Sequence, residues 1–429
     1  MPKISSSIFY NLSEKAYLIY CRKTNGICNN PFFSKMESAL GRIFSFFSSL
    51  ISPKYIISGT ERNGSNKIKI MCCGGKQQFY YGLSLIFEGD YEVKKVGNCS
   101  IFRLNKLLKN IPDDIDLVFL STDRFFSDLL SKKVDFVIPE WVGMELDTSK
   151  SFSQIKSRFS NGALKDVKMI EKYGYTYEIT DDNEKLEFFY NRMFLPFILD
   201  KFSEETPQSY LEYIKILIRR KNIKLLLVKD GDKYVAGGLI RAEKDKVVLP
   251  SMGILDAKSE YLRNYASSAL FYFHILNSVK AGIKNINYGN TRAFLNDGSF
   301  QYKKKWGMAV IKSKFKFNVV GLKILNFNNS VLSYLENNSF IFVQRDKFKI
   351  FSYFNKNSPV TFKDIKQICR SYYCSGFEEI LIFSSSDFAK EVYEKSSFEA
   401  SSKYKFEHKI IPGELINNDL QLCVVKPID

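Results

Sequence analysis

The chain has 429 residues, more than one ordinary hydrophobic core supports, so two or three domains are expected. Hydrophobic residues make up 45% of the sequence and charged residues 25%, a balance that excludes a largely disordered chain. The formal charge of +17 favours a polyanionic partner, such as a nucleotide cofactor, a nucleotide-sugar, nucleic acid or an anionic membrane. The alternative is a basic surface that serves solubility alone.

The N-terminal region shows no membrane-spanning or secretory pattern. No apolar run reaches the roughly 18–20 residues of a spanning helix, and Met1–Ser5 lacks the layout of a signal peptide. The longest apolar run, Ala39–Pro53, predicts a helix packed on its own domain, or one whose apolar face touches a membrane interface. The eight cysteines have no metal-ligand spacing. We therefore expect a cytoplasmic protein, with peripheral contact at the inner membrane face as an option.

From Lys67 onward, short apolar segments alternate with helical ones. Strands are predicted at Ile68–Cys73, Tyr91–Val96, Leu117–Leu120 and Phe136–Ile138, and helices at Gln78–Phe87, Ile101–Asn110 and Phe125–Ser131. This alternation predicts a small, mainly parallel α/β layer. Gly74-Gly75 is interpreted as a turn, because the G-x-G-x-x-G pattern is absent. Pro139–Lys150 is interpreted as a connector to a second domain.

The second region mixes helices with antiparallel strands. Helices are predicted at Phe152–Phe159, Glu184–Leu199, Tyr210–Arg219 and Tyr265–Gly282, and strands at Gly174–Ile179, Lys224–Val228, Tyr234–Ala242, Lys246–Ile254 and Asn285–Tyr288. A shorter unit follows Thr361, with helices at Lys363–Tyr373 and Asp387–Lys395 and strands at Glu379–Phe383, Tyr404–His408 and Gln421–Val425. The expected domains are residues 1–148, 149–345 and 346–429.

The segment Asn285–Gly307 carries the strongest functional signal. It leads from a strand through a polar loop into a cationic and aromatic stretch that ends at a glycine. A packed core does not require Arg292, Asp297, Tyr302 and Lys303 so close together, whereas a site for an anionic ligand could use them.

The order of elements in residues 152–320 resembles the GNAT-type N-acetyltransferase fold, and more closely the branch that includes the Fem-type peptidoglycan-bridge aminoacyltransferases. The resemblance is carried by Phe189–Met193, Val235–Ile240, Tyr261–Leu270, Asp297-Gly298, Tyr302-Lys303 and Trp306-Gly307. It implies an α/β (α+β) chain whose GNAT-like domain has a mixed, largely antiparallel sheet. A small α/β domain precedes this domain, and a partial GNAT-like unit follows it. In that last unit Ser397 stands where the family's Gly-Phe pair has its glycine.

The resemblance also implies a donor and its site. The donor would be acyl-CoA (acetyl-CoA) as co-substrate, or aminoacyl-tRNA as in the Fem branch, with no metal required. The helix start at Tyr261–Ala269 would meet the donor phosphates and supplies Arg263, Asn264, Ser267 and Ser268. It lacks the glycine-rich Arg/Gln-x-x-Gly-x-Gly/Ala loop of acetyl-CoA enzymes. An ordinary capped helix start is the alternative.

Four of the predicted catalytic and substrate-binding residues have a structural alternative. Asp256 could accept the amine proton through water, or could be a turn aspartate. Tyr302 could protonate the leaving group, as a tyrosine does in many GNAT enzymes, or could be a packing residue. The predicted substrate-binding residues are Tyr190, Arg192, Arg292, Asp297 and Lys303. For Arg192 the alternative is a solvated helix face, and for Asp297 it is the cap of the next helix.

The sequence thus leads to an acyltransferase hypothesis. The chain would transfer an acyl or aminoacyl group to an amine of a cell-envelope, polysaccharide or lipid-linked precursor by direct attack. Its partners would be the donor, an anionic acceptor, tRNA in the aminoacyl branch and a membrane surface. The alternative is a non-catalytic GNAT-like protein that binds RNA or an anionic surface, which the high positive charge also favours.

Overall fold

The computed structural model describes residues 46–47, 49–64, 66–74, 82–202, 208–219, 223–243, 246–313, 317–355, 358–401, 403–412 and 420–428. Within them the chain forms three mixed, largely antiparallel sheets with helices on their faces. The expected fold class is confirmed. Residues 39–45 of the predicted first helix, Gly75, and residues 78–81 of the next helix lie outside the described residues.

The first sheet is mostly antiparallel, so the expectation of a mainly parallel layer was wrong. Its strands lie in the order β3-β1-β2-β4-β14-β5, and only β2 and β4 are parallel neighbours. The strands are β1 (Ile51–Glu61), β2 (Lys67–Cys73), β3 (Phe87–Ser100), β4 (Leu117–Asp123), β5 (Phe136–Pro139) and β14 (Asn318–Ile324). The sequence pattern missed β1, which pairs with both β2 and β3, and β14, which arrives from far along the chain.

The second sheet has the order β13-β6-β12-β10-β9-β8-β7, with β11 paired to β9 alone. The strands are β6 (Trp141–Asp147), β7 (Thr176–Thr180), β8 (Ile223–Asp230), β9 (Lys233–Glu243), β10 (Lys246–Val248), β11 (Met252–Ile254), β12 (Asn285–Arg292) and β13 (Ala309–Lys312). Two expectations fail here. The segment Pro139–Lys150 is not a connector, because β6 lies inside this sheet between β12 and β13. The single strand predicted at Lys246–Ile254 is two strands.

A two-stranded ribbon joins these two sheets. β5 pairs with β14 in the first sheet. β6, which follows β5 in the chain, pairs in the second sheet with β13, which precedes β14. At the joint, the Glu140 carboxylate accepts hydrogen bonds from Trp141 Nε1 at 3.1 Å, Arg292 at 3.2 Å and Asn318 Nδ2 at 3.0 Å. The domain boundaries at residues 148 and 345 stay a prediction. β6, which precedes residue 148, belongs to the second sheet, and β14, which follows it, belongs to the first.

The third sheet contains the C-terminal strands in the order β15-β16-β17-β20-β19-β18. The strands are β15 (Phe340–Gln344), β16 (Lys347–Phe354), β17 (Phe377–Ser384), β18 (Ser397–Ser401), β19 (Tyr404–Pro412) and β20 (Gln421–Ile428). A helix crosses over between the parallel neighbours β16 and β17, and all other pairs are antiparallel. The second sheet likewise contains one parallel pair, β10 and β12, whose other neighbours β9 and β6 are antiparallel to them.

The helices cover the sheet faces. They are α1 (Leu104–Lys109), α2 (Ser127–Ser131), α3 (Phe152–Lys156), α4 (Asn161–Tyr173), α5 (Asn183–Phe188), α6 (Leu195–Phe202), α7 (Gln208–Arg219), α8 (Ser259–Arg263), α9 (Ala266–Lys280), α10 (Gly298–Lys304), α11 (Asn329–Asn337), α12 (Phe362–Tyr372) and α13 (Lys390–Glu394), with residues 82–86 also helical. Single 3-10 turns lie at Ile101–Arg103, Arg124–Phe126 and Leu255–Ala257. Predicted helices at Ile101–Asn110, Tyr210–Arg219 and Lys363–Tyr373 are confirmed within one to two residues.

Three hydrophobic cores hold the helices to the sheets. One continues from the first sheet through part of the second to the third and contains the fully buried Trp306. Another lies between strands β8 and β9 and helices of the second sheet and contains Phe189 and Met193. The third packs Leu104 of α1 and Leu130 of α2 against the first sheet. Gly237 and Gly238 in β9 face opposite sides, because a Cβ on Gly237 would meet Phe189 and one on Gly238 would meet Leu270 of α9.

Candidate functional site

The second sheet opens between β11 and β12. Lys246–Val248 pairs in parallel with Asn285–Asn287, and the amide of Leu249 still donates to the Asn287 carbonyl at 3.0 Å. Beyond that point β11 pairs only with β9, whereas β12 continues along β6. The two strands therefore diverge, and their facing backbone groups no longer pair with each other. Unpaired strand edges of this kind can bind an extended ligand through its own amide groups.

An irregularity in β12 lies beside this opening. The pairing of β12 with β6 shifts register between Asn287 and Asn290. Gly289 has a φ of +75°, a left-handed conformation that glycine adopts without strain, and its amide donates to Asn287 Oδ1 at 2.8 Å. Bulges often re-aim a strand next to functional sites. The register shift and the left-handed glycine together mark a local irregularity, the kink in β12.

A π-helical turn, Phe189–Phe194, covers β11 from one face of the sheet. It interrupts the helix that the sequence predicts over Glu184–Leu199. Gly253 of β11 permits close approach, because a Cβ there would lie 2.5 Å from the Phe194 nitrogen and 2.6 Å from the Met193 carbonyl oxygen. Such turns occur frequently at functional sites. This one buries Tyr190 and directs Arg192 outward.

Arg192 meets Asp256 in a two-pronged ion pair. The guanidinium donates from Nε at 2.7 Å and from the second nitrogen at 2.8 Å to the two carboxylate oxygens. Asp256 follows β11 in a left-handed conformation with a φ of +49°. Its hydrogen bonds from Arg192 lower the pKa of the carboxyl. The predicted base therefore carries its charge at neutral pH but is a weaker proton acceptor than a free aspartate.

The predicted Tyr302 lies against the predicted Ser267 and Ser268. Its hydroxyl is 3.3 Å from each serine Oγ at the start of α9. Burial raises the pKa of Tyr302 to about 12, so the phenol stays protonated at neutral pH and can donate a hydrogen bond or a proton. The structure thus brings together three residues that the sequence analysis placed in one site.

Two further side chains hold this group in place. The Asp166 carboxylate of α4 accepts from Ser268 Oγ and from Lys305 Nζ, each at 2.6 Å. Lys305 Nζ also lies 4.2 Å from the centre of the Tyr302 ring, within range of a cation–π interaction. The sequence analysis missed Asp166, because it is separated from Ser268 by 102 residues and no local pattern marks it.

We expect Asp166→Asn to reduce the free energy of unfolding by about 2 kcal/mol, since the partly buried Lys305 ammonium loses its anionic partner. The measurement is urea unfolding followed by circular dichroism. Asp128→Asn is the matched control, because Asp128 is exposed on α2. Equal stability of both variants and the wild type would contradict a supporting role for Asp166.

The start of α9 contains no glycine and has an unusual backbone. Tyr265 precedes the helix with a φ of +69°, and no side chain caps the first helical amides. The carbonyl of Asn264 accepts from the Tyr175 hydroxyl at 2.8 Å, so this residue is partly held by the protein itself. Arg263 is exposed. The loop differs from a glycine-rich phosphate-binding loop in backbone as well as in sequence.

The remaining predicted residues lie along β12 and α10. Lys303 Nζ donates to the Asn290 carbonyl at 2.9 Å, and burial lowers the pKa of this lysine to about 8. Asp297 caps α10 by accepting from the Phe300 amide at 3.0 Å. Arg292 binds Glu140 and stacks 3.9 Å from the Trp141 ring centre. Lys303 is therefore beside the kink in β12, whereas Arg292 and Asp297 are engaged in structural contacts.

A buried histidine lies on the α9 side of the same region. His274 is fully buried, its ring is 5.4 Å from that of Tyr288 in β12, and neither ring nitrogen has a hydrogen-bond partner among the described residues. Burial lowers the pKa of His274 to about 3. It is neutral at physiological pH, as expected for a packed structural histidine.

We expect stability to fall when the pH drops below about 6.5. The unfolded chain then binds a proton on His274. In the folded chain the pKa of His274 is about 3, so this residue stays neutral. Between about pH 7 and pH 5.5 the free energy of unfolding should lose about 1 kcal/mol from this residue. Urea titrations of the wild type and His274→Phe would test this, and an identical pH slope in both proteins would contradict it.

Three further observations concern the described residues as a whole. No group of three or more His, Cys, Asp or Glu side chains in the described ranges is gathered to hold a metal. Within the same ranges no helix is long and apolar enough to cross a membrane. A separate cleft of about 320 Å³ lies on the third sheet, lined in part by Arg345, Lys349 and Glu379, away from the residues described above.

Comparison with solved structures finds Fem-type and GNAT proteins. The chain is similar to FemX (12% identity, 62% of this chain and 83% of that chain, TM-score 0.34). It is also similar to the C-terminal domain of a putative lysylphosphatidylglycerol synthetase from Agrobacterium fabrum (9%, 75% and 95%, 0.32) and to a GCN5-related N-acetyltransferase from Kribbella flavida (7%, 89% and 86%, 0.24). No protein-family model and no curated protein matches the sequence.

These likenesses concern the fold alone. The second sheet is mixed and largely antiparallel, as the GNAT resemblance predicts for this part of the chain. All three TM-scores are below 0.5, so they carry no weight for donor, acceptor or catalytic residues.

Proposed function

We propose that the chain is an acyltransferase. It moves an acyl group from acyl-CoA or aminoacyl-tRNA to an amine of a cell-envelope, polysaccharide or lipid-linked precursor. The observation that carries the proposal is the hydroxyl of Tyr302, held in its protonated form against Ser267 and Ser268, with its ring against Phe271, which stacks on Tyr288 of β12. An opening at which two neighbouring strands do not pair with each other suits an extended donor, and a protonated phenol suits a leaving thiolate or alkoxide.

The reaction needs one proton acceptor and one proton donor. The amine nitrogen attacks the acyl carbon directly and loses a proton, while the bond to sulfur or oxygen breaks and the leaving group gains a proton from Tyr302. Lys303, with a pKa of about 8, is partly neutral near that pH and is the best-matched acceptor for the amine proton. Asp256, the acceptor expected from the sequence, could act through water but is weakened by Arg192.

The other predicted residues are proposed for binding. Arg263 is exposed at the start of α9 and is assigned to donor phosphates with Asn264, Ser267 and Ser268. The ion pair of Arg192 and Asp256 is assigned to charged groups of the acceptor, together with Tyr190, which lies on the same π-helical turn as Arg192. Arg292 and Asp297 are assigned to shaping β12 and α10, since both are held by contacts within the chain.

Thermal unfolding with candidate donors tests the proposal. A donor present at about 100 times its Kd stabilises the folded chain by about 2.7 kcal/mol, which raises the Tm measurably. Acetyl-CoA, free CoA and aminoacylated tRNA are the three probes, followed by thiol release or label transfer with a panel of primary amines. Stabilisation by acetyl-CoA assigns the CoA branch, and stabilisation by aminoacyl-tRNA alone assigns the Fem-type branch. No stabilisation and no transfer with any donor would refute the function.

The high positive charge favours a second candidate, a non-catalytic protein that binds RNA or an anionic surface. Such a protein would bind uncharged tRNA and aminoacylated tRNA equally well. Its affinity would fall steeply with salt, with a slope that reports the number of phosphates contacted. Equal tRNA binding without any transfer to amines would favour this candidate over the transferase.

A further inference from the structure

One edge of the first sheet brings together four chain segments. β1 runs antiparallel to both β2 and β3, and β2 runs parallel to β4. The start of β1 and the ends of β2, β3 and β4 therefore lie at the same edge. Ser49, just before β1, confirms this placement, because its hydroxyl accepts from the amide of Asp123 at the end of β4 at 2.7 Å.

Exposed aromatic rings collect at this edge. Phe47 precedes β1 and is 62% exposed, Phe102 follows β3 and is 70% exposed, and Phe125 follows β4 and is 74% exposed. They are joined through two further rings. Phe46 contacts Phe47 and Phe125 at centroid distances of 5.7 and 5.4 Å, and Phe126 contacts Phe102 at 6.0 Å. We call these five phenylalanines the aromatic edge. Contiguous exposed apolar patches of this kind usually mark an interaction surface.

Cations predominate in two of the segments that carry the aromatic edge. Residues 101–109 and 124–133, which carry Phe102 and Phe125, contain six lysines and arginines and a single carboxylate, Asp128. Lys106 is exposed one helical turn beyond Phe102, and Leu129 is exposed one turn beyond Phe125. Lys132 is exposed just after α2. Each segment thus carries an exposed phenylalanine next to an arginine near its start and an exposed lysine towards its end.

We propose that the aromatic edge docks on a bilayer surface that contains anionic phospholipids. Phenylalanine and leucine side chains enter the boundary between headgroups and acyl chains, and lysine and arginine side chains pair with the anionic headgroups. The long cationic side chains can reach the headgroups while the rings insert. The near absence of carboxylates on these segments favours an anionic membrane over a protein surface of mixed charge, and the net charge of +17 acts in the same direction.

This docking goes beyond the proposed acyl transfer and does not depend on it. A chain of contacts nevertheless links the aromatic edge to the candidate site. Arg124 lies over the Phe317 ring at 5.6 Å, and Asn318 binds Glu140, which in turn binds Arg292 at the end of β12. A bilayer at the aromatic edge would therefore lie next to the end of the second sheet at which β12 finishes.

Vesicle sedimentation with the full chain tests the proposal. The probes are vesicles of phosphatidylcholine alone and vesicles in which a quarter of the lipid is phosphatidylglycerol. We expect binding to the anionic vesicles that weakens with salt, and little binding to the neutral ones. The double variant Phe102→Ser with Phe125→Ser should bind anionic vesicles at least about tenfold more weakly. Tyr393→Ser is the matched control, because Tyr393 is 55% exposed on α13, outside this edge.

Charge variants separate the electrostatic part of the interaction. Lys106→Gln with Lys132→Gln should weaken binding to anionic vesicles and flatten its salt dependence, whereas Lys390→Gln, at a side chain 90% exposed on α13, should not. Equal binding to both vesicle types, or unchanged binding of the double phenylalanine variant, would overturn the proposal. So would a Tm several degrees lower in the phenylalanine variant without lipid, because the rings would then be packed against the chain itself. Vesicle binding does not report acyl transfer, so failure here leaves the proposed function to its own test.

Discussion

Tyr302→Phe should lower the rate of acyl transfer by about 10²–10⁴-fold while the protein stays folded. The substitution removes only the hydroxyl that lies 3.3 Å from Ser267 and Ser268, and the ring keeps its edge-to-face contact with Phe271 at 5.0 Å. The leaving group then has no protonated phenol beside it. The measurement is kcat and KM for the donor that the thermal test identifies, together with the Tm of each protein.

Tyr288→Phe is the matched control for this prediction. Tyr288 is also a buried tyrosine that stacks on Phe271, at 4.7 Å, and its hydroxyl has no hydrogen-bond partner among the described residues. Removing that hydroxyl should leave kcat unchanged and should not lower the Tm, because no bond is lost. A Tyr302→Phe enzyme with wild-type kcat would remove Tyr302 from the mechanism. A loss of donor binding with unchanged kcat would make it a binding residue.

Gly253→Ala should reduce the free energy of unfolding by about 3 kcal/mol or more. The added methyl group would lie 2.5 Å from the nitrogen of Phe194 and 2.6 Å from the carbonyl oxygen of Met193. These are backbone atoms, so no side-chain rotation can relieve the overlap, and the π-helical turn must move away from β11. That movement should also disturb the ion pair between Arg192 on the turn and Asp256 after β11. Urea unfolding and near-ultraviolet circular dichroism would report both effects.

Gly162→Ala provides the control for a glycine without such a contact. Gly162 lies in the first turn of α4, and a Cβ there would meet only the Ser160 Oγ, at an ordinary 3.5 Å. Alanine should stabilise the chain by about 0.5–1 kcal/mol, because it restricts the unfolded state and suits a helix. If Gly253→Ala were as stable as Gly162→Ala, the close packing of the π-helical turn on β11 would be wrong.

Local patterns predicted much of the secondary structure for physical reasons. The hairpin of β8 and β9 follows from two apolar runs around Asp230-Gly231-Asp232, and α9 ends near Gly282, which has a φ of +68°. β6 was not predicted, although Val142, Met144 and Leu146 alternate inward, because the segment Pro139–Lys150 was interpreted as a connector. Gly143 is tolerated inside the strand because Ile311 of β13 occupies the space that a side chain would need.

The candidate site was only partly predictable from the sequence. Tyr302 and Ser267 and Ser268 were named from the resemblance, and the structure places them in contact. The pairing of Arg192 with Asp256 could not be foreseen, because it depends on a π-helical turn and a left-handed residue 64 positions apart. The sequence also could not show that Arg292, which was predicted to bind an anion, contacts the carboxylate of Glu140, 152 residues away. The roles of these residues stay predictions until the variants are measured.

The sequence by itself indicated many of the helices and strands and the position of the segment Asn285–Gly307, because periodicity and turn chemistry are local properties of the chain. The class of fold was expected from the family resemblance. Only the tertiary structure decided which side chains of that segment have partners. It turned Tyr302 towards α9, Lys303 towards the kink in β12 and Arg292 towards Glu140. It also gathered phenylalanines from three separate segments at one sheet edge. Contacts between residues far apart in sequence arise from the order of the strands, in which β6 joins the second sheet and β14 returns to the first. No local pattern encodes that order.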